Sequence, residues 1–182
     1  MATQTPTQSA PTAGADRLIA RGRAWKFGDN IPTDQIVPSK LLFLPMSEIV
    51  KHIMEELRPE FPAQLKRGDI IVAGHHFGQS SGRAVAPKAI QAAGIACIVA
   101  ESFARTFLRN CYEIGLPILE CRGVSKAVAD GDIVQADLIA GRLTNATTTE
   151  SLPATPCNDY LLDMLRAGGV IAMMKQQQGS AR

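Results

Sequence analysis

No two cysteines stand close together in this sequence of 182 residues: Cys97, Cys111, Cys121 and Cys157 are 14, 10 and 36 positions apart. Zinc and iron–sulfur sites draw on close pairs such as Cys-x-x-Cys, so this spacing argues against a cysteine-held metal centre on the chain. Cys97 and Cys121 lie inside apolar runs and are expected as buried thiols. No apolar stretch reaches the roughly 18 to 20 residues of a membrane span, and the N-terminus has no hydrophobic core of a signal peptide. A cytoplasmic protein is expected. Charge of one sign is not concentrated either: the 19 Lys and Arg residues are scattered and the net charge is +2, which excludes nucleic acid as the main partner. There is no internal repeat.

With 46% hydrophobic residues, the length suits one domain with a sizeable core. Residues 1–16, "MATQTPTQSAPTAGAD", have almost no large apolar side chain and cannot offset their own ordering entropy, so they read as a disordered tail ahead of a domain over 17–176. Residues 177–182 read as a frayed end. "RGRAWKFG" is a strand candidate, and "GDNIPTDQIVPSK" is a loop punctuated by Pro32 and Pro38. "SEIVKHIMEEL" carries apolar residues at helical spacing behind Ser47 as an N-cap. Beyond it, the apolar runs "DIIVAG", "ACIVAE" and "LPILEC" alternate with the helical patterns "RAVAPKAIQAAG" and "FARTFLRNCYEIG". That alternation predicts an α/β fold of βαβ units around a buried, largely parallel sheet. "GDIVQADLIAGRLTN" predicts a hairpin turning at Ala140-Gly141, and "CNDYLLDMLRAGGVIAMMK" a closing helix interrupted at Gly168-Gly169.

The chemistry is concentrated in "AGHHFGQSSGRAVAPKAI", residues 73–90. Three glycines between a predicted strand and a predicted helix leave backbone N–H groups and the positive end of a helix dipole free to meet an anion. The loop lacks the lysine and the glycine spacing of a nucleotide P-loop, and the dinucleotide fingerprint also fails. His75 and His76 are adjacent, so on a strand end they point to opposite faces and do not share a metal ion. No metal ligand set is assigned. Ser80, Ser81 and Arg83 remain: hydroxyls and a guanidinium fork around a helix N-terminus make a receptor for a carboxylate. Two roles stay open for Ser81 on these residues alone, a plain helix cap or a base whose alkoxide the same donors stabilise.

"NIPTDQIVP", "FGQSS", "APKAI" and "SFARTF", in that order, resemble the small subunit of 3-isopropylmalate dehydratase, the swivel domain of the aconitase superfamily. The resemblance runs from about Arg21 to about Lys175 and implies a compact swivelling β/β/α domain. It implies a hydro-lyase whose active site lies between two chains, with a 4Fe–4S cluster on the large subunit and none on this chain. The small subunit contributes the base and carboxylate-binding groups. The family loop Gly-Ser-Ser-Arg-Glu-His, matched without a gap, places the base at Ser81 and the carboxylate-binding arginine at Arg83. The family's Thr-Asp pair matches Thr33 and Asp34, the aspartate orienting groups around the reacting centre.

The departures are specific. The family's glycine is Ser80 here, its second serine Gly82, its glutamate Ala84 and its histidine Val85, and the usual asparagine before "FG" is His76. In the substrate-recognition loop "SKLLFLP", Phe43 stands where relatives that bind a distal carboxylate tend to carry arginine. An apolar Leu42-Phe43-Leu44 tip favours a methyl or isopropyl side group. The expected function is dehydration and rehydration of 2- and 3-isopropylmalate together with an iron–sulfur large subunit. The alternatives are hydration of dimethylmaleate or citraconate, and a diverged non-catalytic paralogue that keeps the partner interface.

Overall fold

The computed structural model describes residues 18–180. The expected tail over 1–16 lies outside them. Seven strands form one sheet in the order β4-β3-β2-β1-β5-β6-β7. Its first half is parallel: β1 (Ile19–Lys26), β2 (Ile70–Ala73), β3 (Cys97–Ala100) and β4 (Ile118–Glu120) lie side by side, with Ala24 opposite Ile70, Ile70 opposite Cys97 and Ile98 opposite Ile118. Every residue of β2 and β3 is buried, which is why these strands read as unbroken apolar runs. Helix α4 (Val85–Ala93) links β2 to β3, and α5 (Arg105–Ile114) links β3 to β4. Both end at a glycine in the left-handed region, Gly94 and Gly115.

The second half is antiparallel. β5 (Ile133–Asp137) pairs with β1 and with β6 (Arg142–Asn145), and β6 pairs with β7 (Ser151–Pro153). The expected hairpin is β5–β6, its turn held by Asp137 Oδ1, which accepts the N–H groups of Ile139 and Ala140. Buried and exposed residues alternate along β6, as in a strand covered on one face. β7 was not foreseen: it has three residues, none buried, and ends in a proline suited to an edge. The sheet curls until its two edges approach, and the Thr155 N–H donates to the Glu120 carbonyl at 2.8 Å. That contact covers part of both open edges.

The helix expected over 47–57 is corrected by the structure. Helix α2 spans only Met46–Ile49, a 3₁₀ turn follows over Val50–His52, and Met54 adopts φ 54°. Ser47 lies inside α2, and the position before the helix is Pro45. Ile49, Ile53 and Met54 are nevertheless buried, so the apolar spacing marked the right face. The Met54 N–H is drawn to the Ile36 carbonyl at 3.0 Å, which turns the chain off the helical path. Short helices α1 (Thr33–Ile36), α3 (Phe61–Gln64) and α6 (Val124–Ala127) carry no long-period signal in the sequence. The closing pair is α7 (Asp159–Ala167), capped by the Asn158 side chain on the Leu161 N–H, and α8 (Val170–Ser180). Within the described residues, 177–180 are helical, beyond the end expected from sequence.

Trp25 anchors the interior under the sheet. Its ring is fully buried, edge-on to Phe61 at 5.1 Å, with the guanidinium carbons of Arg23 and Arg58 at 4.3 and 4.7 Å from its centroid. Its Nε1–H donates to Asp69 Oδ2 at 2.7 Å, and the same oxygen accepts the Lys66 N–H. Asp69 is itself buried, so removing it strands an indole N–H away from water. Asp69→Ala is expected to lower stability by about 1–3 kcal/mol in urea unfolding at neutral pH, and Asp69→Asn, which keeps an acceptor, by less. Equal losses in the two variants would remove the hydrogen bond as the cause.

Candidate active site

Thr33, His76, Ser80, Ser81, Gly82 and Arg83 lie on the loops that follow the carboxyl ends of β1 and β2, the end at which open α/β sheets bind ligands. The pairing of β1 with β2 continues past the strands. Phe27 N–H donates to Val72 O, Gly74 N–H to Gly28 O, Asn30 N–H to His75 O, Gly78 N–H to Ile31 O and Thr33 N–H to Gln79 O, at 2.7–3.1 Å. The loop after β1 and the loop after β2 are thereby zipped together as far as Thr33. Gln79 Nε2 adds a bond to the Asn30 carbonyl at 2.8 Å. A third loop joins from β3: Phe77 N–H donates to Ser102 O and Ala104 N–H to Phe77 O. Gly78, at φ 80°, has Phe107 where a Cβ would stand, so no side chain fits there.

This ladder delivers Thr33 to Ser81. The two hydroxyl oxygens are 2.9 Å apart, and Thr33 is buried while Ser81 is half-buried. Ser81 is therefore not a helix cap: the position before α4 is Ala84, and no side chain caps that helix. Ser80 has φ 81°, a left-handed conformation that costs a non-glycine residue about 1–2 kcal/mol. Arg83 is half-buried and its Nη1 donates to Ser39 Oγ at 3.0 Å. Ser39 opens the 3₁₀ turn Ser39–Leu41, which carries the apolar tip. Phe43 on that tip is 96% exposed and Leu44 is 43% exposed, so both stand clear of the domain's own core.

Two other assigned residues are chain neighbours of this pair. Asp34 follows Thr33 in α1 with an exposed side chain, and Gly82 lies between Ser81 and Arg83. His75 and His76 are exposed in a turn, not on a strand end, with ring centroids 6.2 Å apart. His76 takes φ 57° and its N–H donates to Ser102 Oγ, so its recorded partners are on the β3 side of the loop. Sequence reading missed Ser39, Ser102, Asn110 and Glu101. Only Asn110 leaves a trace there, as a polar residue on the apolar stripe of α5 beside Phe107 and Cys111.

Glu101 closes the carboxyl end of β3. It is buried and accepts the N–H groups of Gly123 and Ser125, at 2.7 and 2.9 Å, and the Ser125 hydroxyl, which fixes the start of α6. Burial pushes its pKa up, but the Ser125 and Gly123 hydrogen bonds and the nearby His75 together bring it below the ordinary glutamate value. The four cysteines do not suit a metal cluster. Burial raises the pKa of each thiol, that of Cys121 to about 11, so none is a ready thiolate. Among the described residues, no three His, Cys, Asp or Glu side chains are grouped to hold a metal ion. No helix among them is long and apolar enough to cross a membrane. Clefts of about 620 and 460 Å³ occur along α7–α8 and along α5–α7, while the Ser81–Arg83 loop lies on more open ground.

A family profile for the aconitase C-terminal domain matches residues 49–122, which span α4, the loop carrying Ser81 and strands β2 to β4. Fold and loops together define an aconitase-type swivel domain. Methanopyrus kandleri 3-isopropylmalate dehydratase small subunit 1 is 46% identical over 162 residues, 88% of this chain and 95% of that protein. The isopropylmalate/citramalate isomerase small subunit of Methanocaldococcus jannaschii is 40% identical, covering 91% of this chain and 99% of that one. The crystal structure of 3-isopropylmalate dehydratase from the same organism superposes with a TM-score of 0.82 at 35% identity, covering 88% of this chain and 95% of that chain. This chain belongs to the 3-isopropylmalate dehydratase small-subunit family, hydro-lyase subunits that work with a large subunit.

Because Glu101 is held below its unfolded value, it adds stability that is present above about pH 4.3 and lost as pH falls through its folded value. Glu101→Gln is expected to be less stable than the parent at pH 7 and to show a shallower loss of stability below pH about 4. Parallel acid limbs in urea titrations of the two proteins would show that the carboxylate is not a source of the acid sensitivity.

Proposed function

We propose that this chain is the catalytic small subunit of a heteromeric hydro-lyase that interconverts 2- and 3-isopropylmalate by dehydration and rehydration. The observation that carries this reading is the Ser81 hydroxyl held 2.9 Å from the Thr33 hydroxyl, two residues from a guanidinium, in a chain of this family. Ser81 as its alkoxide takes the proton α to a carboxylate and becomes the hydroxyl, and the Thr33 hydroxyl donates toward the oxygen that carries the developing charge. Arg83 leaves Ser39 to clamp the substrate carboxylate through two parallel bonds. Asp34, exposed at the end of the same loop, orients groups around the reacting centre. Ser80, Gly82 and His76 line the loop, His76 in place of the family's asparagine.

The left-handed Ser80 supports this assignment of the loop. Glycine adopts φ near 80° without steric cost, and glycine is the residue that the family loop has before its two serines. An iron–sulfur cluster held by the large subunit would supply the Lewis acid for this chemistry. The exposed Phe43 and Leu44 present apolar side chains that suit an isopropyl group better than a second carboxylate. The substrate is not settled by likeness, since relatives of similar identity include the homoaconitase small subunit of Methanothermobacter thermautotrophicus, 46% identical over 84% of this chain and 89% of that one. Dimethylmaleate or citraconate is the second reading, favoured by the same apolar tip. The reading places the complex in the cytoplasm.

Anaerobic turnover of 2- and 3-isopropylmalate, dimethylmaleate, citraconate and cis-aconitate by the complex with its large subunit tests the proposal. Turnover of isopropylmalate is expected. Ser81→Ala should lower kcat by about 10³-fold or more while the complex still co-purifies, and full activity in that variant would remove Ser81 as the base. Phe43→Arg should lower kcat/KM for isopropylmalate by about 10- to 100-fold. An unchanged preference across the panel would take this loop out of specificity. A stable complex with an intact cluster and no turnover of any compound would favour the non-catalytic paralogue.

A further inference from the structure

Five polar or charged side chains are buried among the described residues: Thr33, Asp69, Glu101, Asn110 and Asn145. Asp69, Glu101 and Asn145 each serve the local framework, bonding to Trp25 and Lys66, to the start of α6, and to Ala127 and Asp132. Thr33 and Asn110 both reach the loop 80–83 instead, from opposite sides in sequence. Asn110 sits on the buried face of α5 with Phe107 and Cys111, and its Nδ2 donates to the Gly82 carbonyl at 3.2 Å across 28 residues. One turn earlier on that helix, Thr106 Cγ2 lies 2.9 Å from where a Cβ on Gly82 would stand. Residues four apart on a helix share a face, so Thr106 and Asn110 form one seat for Gly82.

Gly82 is the link between Ser81 and Arg83. The direction of its carbonyl fixes the peptide plane between Gly82 and Arg83, and its close seat on α5 fixes where the Ser81 backbone leaves the loop. The same loop carries Ser80 in a left-handed conformation, which persists only when surrounding contacts over-determine it. From this geometry we infer that Asn110 is a positioning residue: through its bond to the Gly82 carbonyl it sets Ser81 and Arg83 in their working orientation before substrate or partner arrives. The inference rests on the reading of Ser81 and Arg83 above and adds to it a residue that touches neither substrate nor the reacting atoms.

The chemistry of the bond gives a test that packing alone does not move. Asn110→Asp keeps the shape of the side chain, but the ionised carboxylate has no proton to donate and faces the Gly82 carbonyl oxygen. Burial of that carboxylate against a carbonyl oxygen raises its pKa toward neutrality, and once protonated it donates again. With the large-subunit complex and isopropylmalate, Asn110→Ala and Asn110→Asp at pH 8 are expected to lower kcat about 10- to 100-fold with KM changed by less than about threefold. As pH falls toward 6, Asn110→Asp should regain at least about fivefold of its kcat relative to the parent at each pH, and Asn110→Ala should not. Should Asn110→Ala fail to fold, the pH profile of Asn110→Asp carries the test by itself. Parent-like kcat in Asn110→Asp at pH 8, or a deficit that stays constant with pH, overturns the inference when Ser81→Ala is inactive in the same assay. Full activity in Ser81→Ala instead overturns the reading of the base and this inference with it.

Discussion

The site depends on one run of backbone hydrogen bonds, the continuation of the β1–β2 pairing beyond the strand ends. From Phe27 to Thr33 on one side and Val72 to Gln79 on the other, successive N–H and C=O groups satisfy each other. Loop backbone left unpaired beside a core this dry would be costly, and here it is paired loop to loop. The consequence is chemical. Thr33 and Ser81, 48 residues apart in the chain, meet at hydrogen-bond distance because their loops are paired as far as Thr33 and Gln79.

Around that ladder the loop bearing Ser81 is supported on three sides. Thr33 holds the serine hydroxyl, α5 seats Gly82, and the 3₁₀ turn receives Arg83 through Ser39. The contact from Arg83 to Ser39 also ties the guanidinium to the segment that presents Phe43. A change at the recognition tip is thus felt one contact away from the guanidinium. The Ser81 hydroxyl and the Arg83 guanidinium are set at the sheet end, and the apolar tip projects outward with Phe43 almost fully exposed.

The alternating apolar runs and helical patterns located β2, β3, β4, α4, α5 and the β5–β6 hairpin, because continuous burial leaves a compositional trace that a single sequence preserves. The segment after Pro45 shows where such reading stops. Its apolar residues are spaced for a helix and are buried, yet the chain turns at Met54 because the Ile36 carbonyl, 18 residues earlier, takes its N–H. Ser81 shows the same limit in the site. A serine ahead of a helix reads as a cap or as a reactive hydroxyl; the cap is removed because Ala84 is the residue before α4, and Thr33, which sequence position alone does not bring near, is the partner Ser81 has instead.

What the sequence by itself determined is the α/β class and the parallel core, together with the polar loop around Ser81 and Arg83 on which the proposed function rests. Local composition and periodicity suffice for these, and four ordered motifs carry the likeness to the dehydratase small subunits. What only the tertiary structure decided is the pairing of Thr33 with Ser81, the resting partner of Arg83, the left-handed Ser80 and the seat that Asn110 gives Gly82. Each of these is a contact between segments 28 to 48 residues apart, or a backbone state imposed by such contacts. Hydrogen bonds of that kind depend on where the folded sheet places its loops, and no local pattern in the chain encodes them.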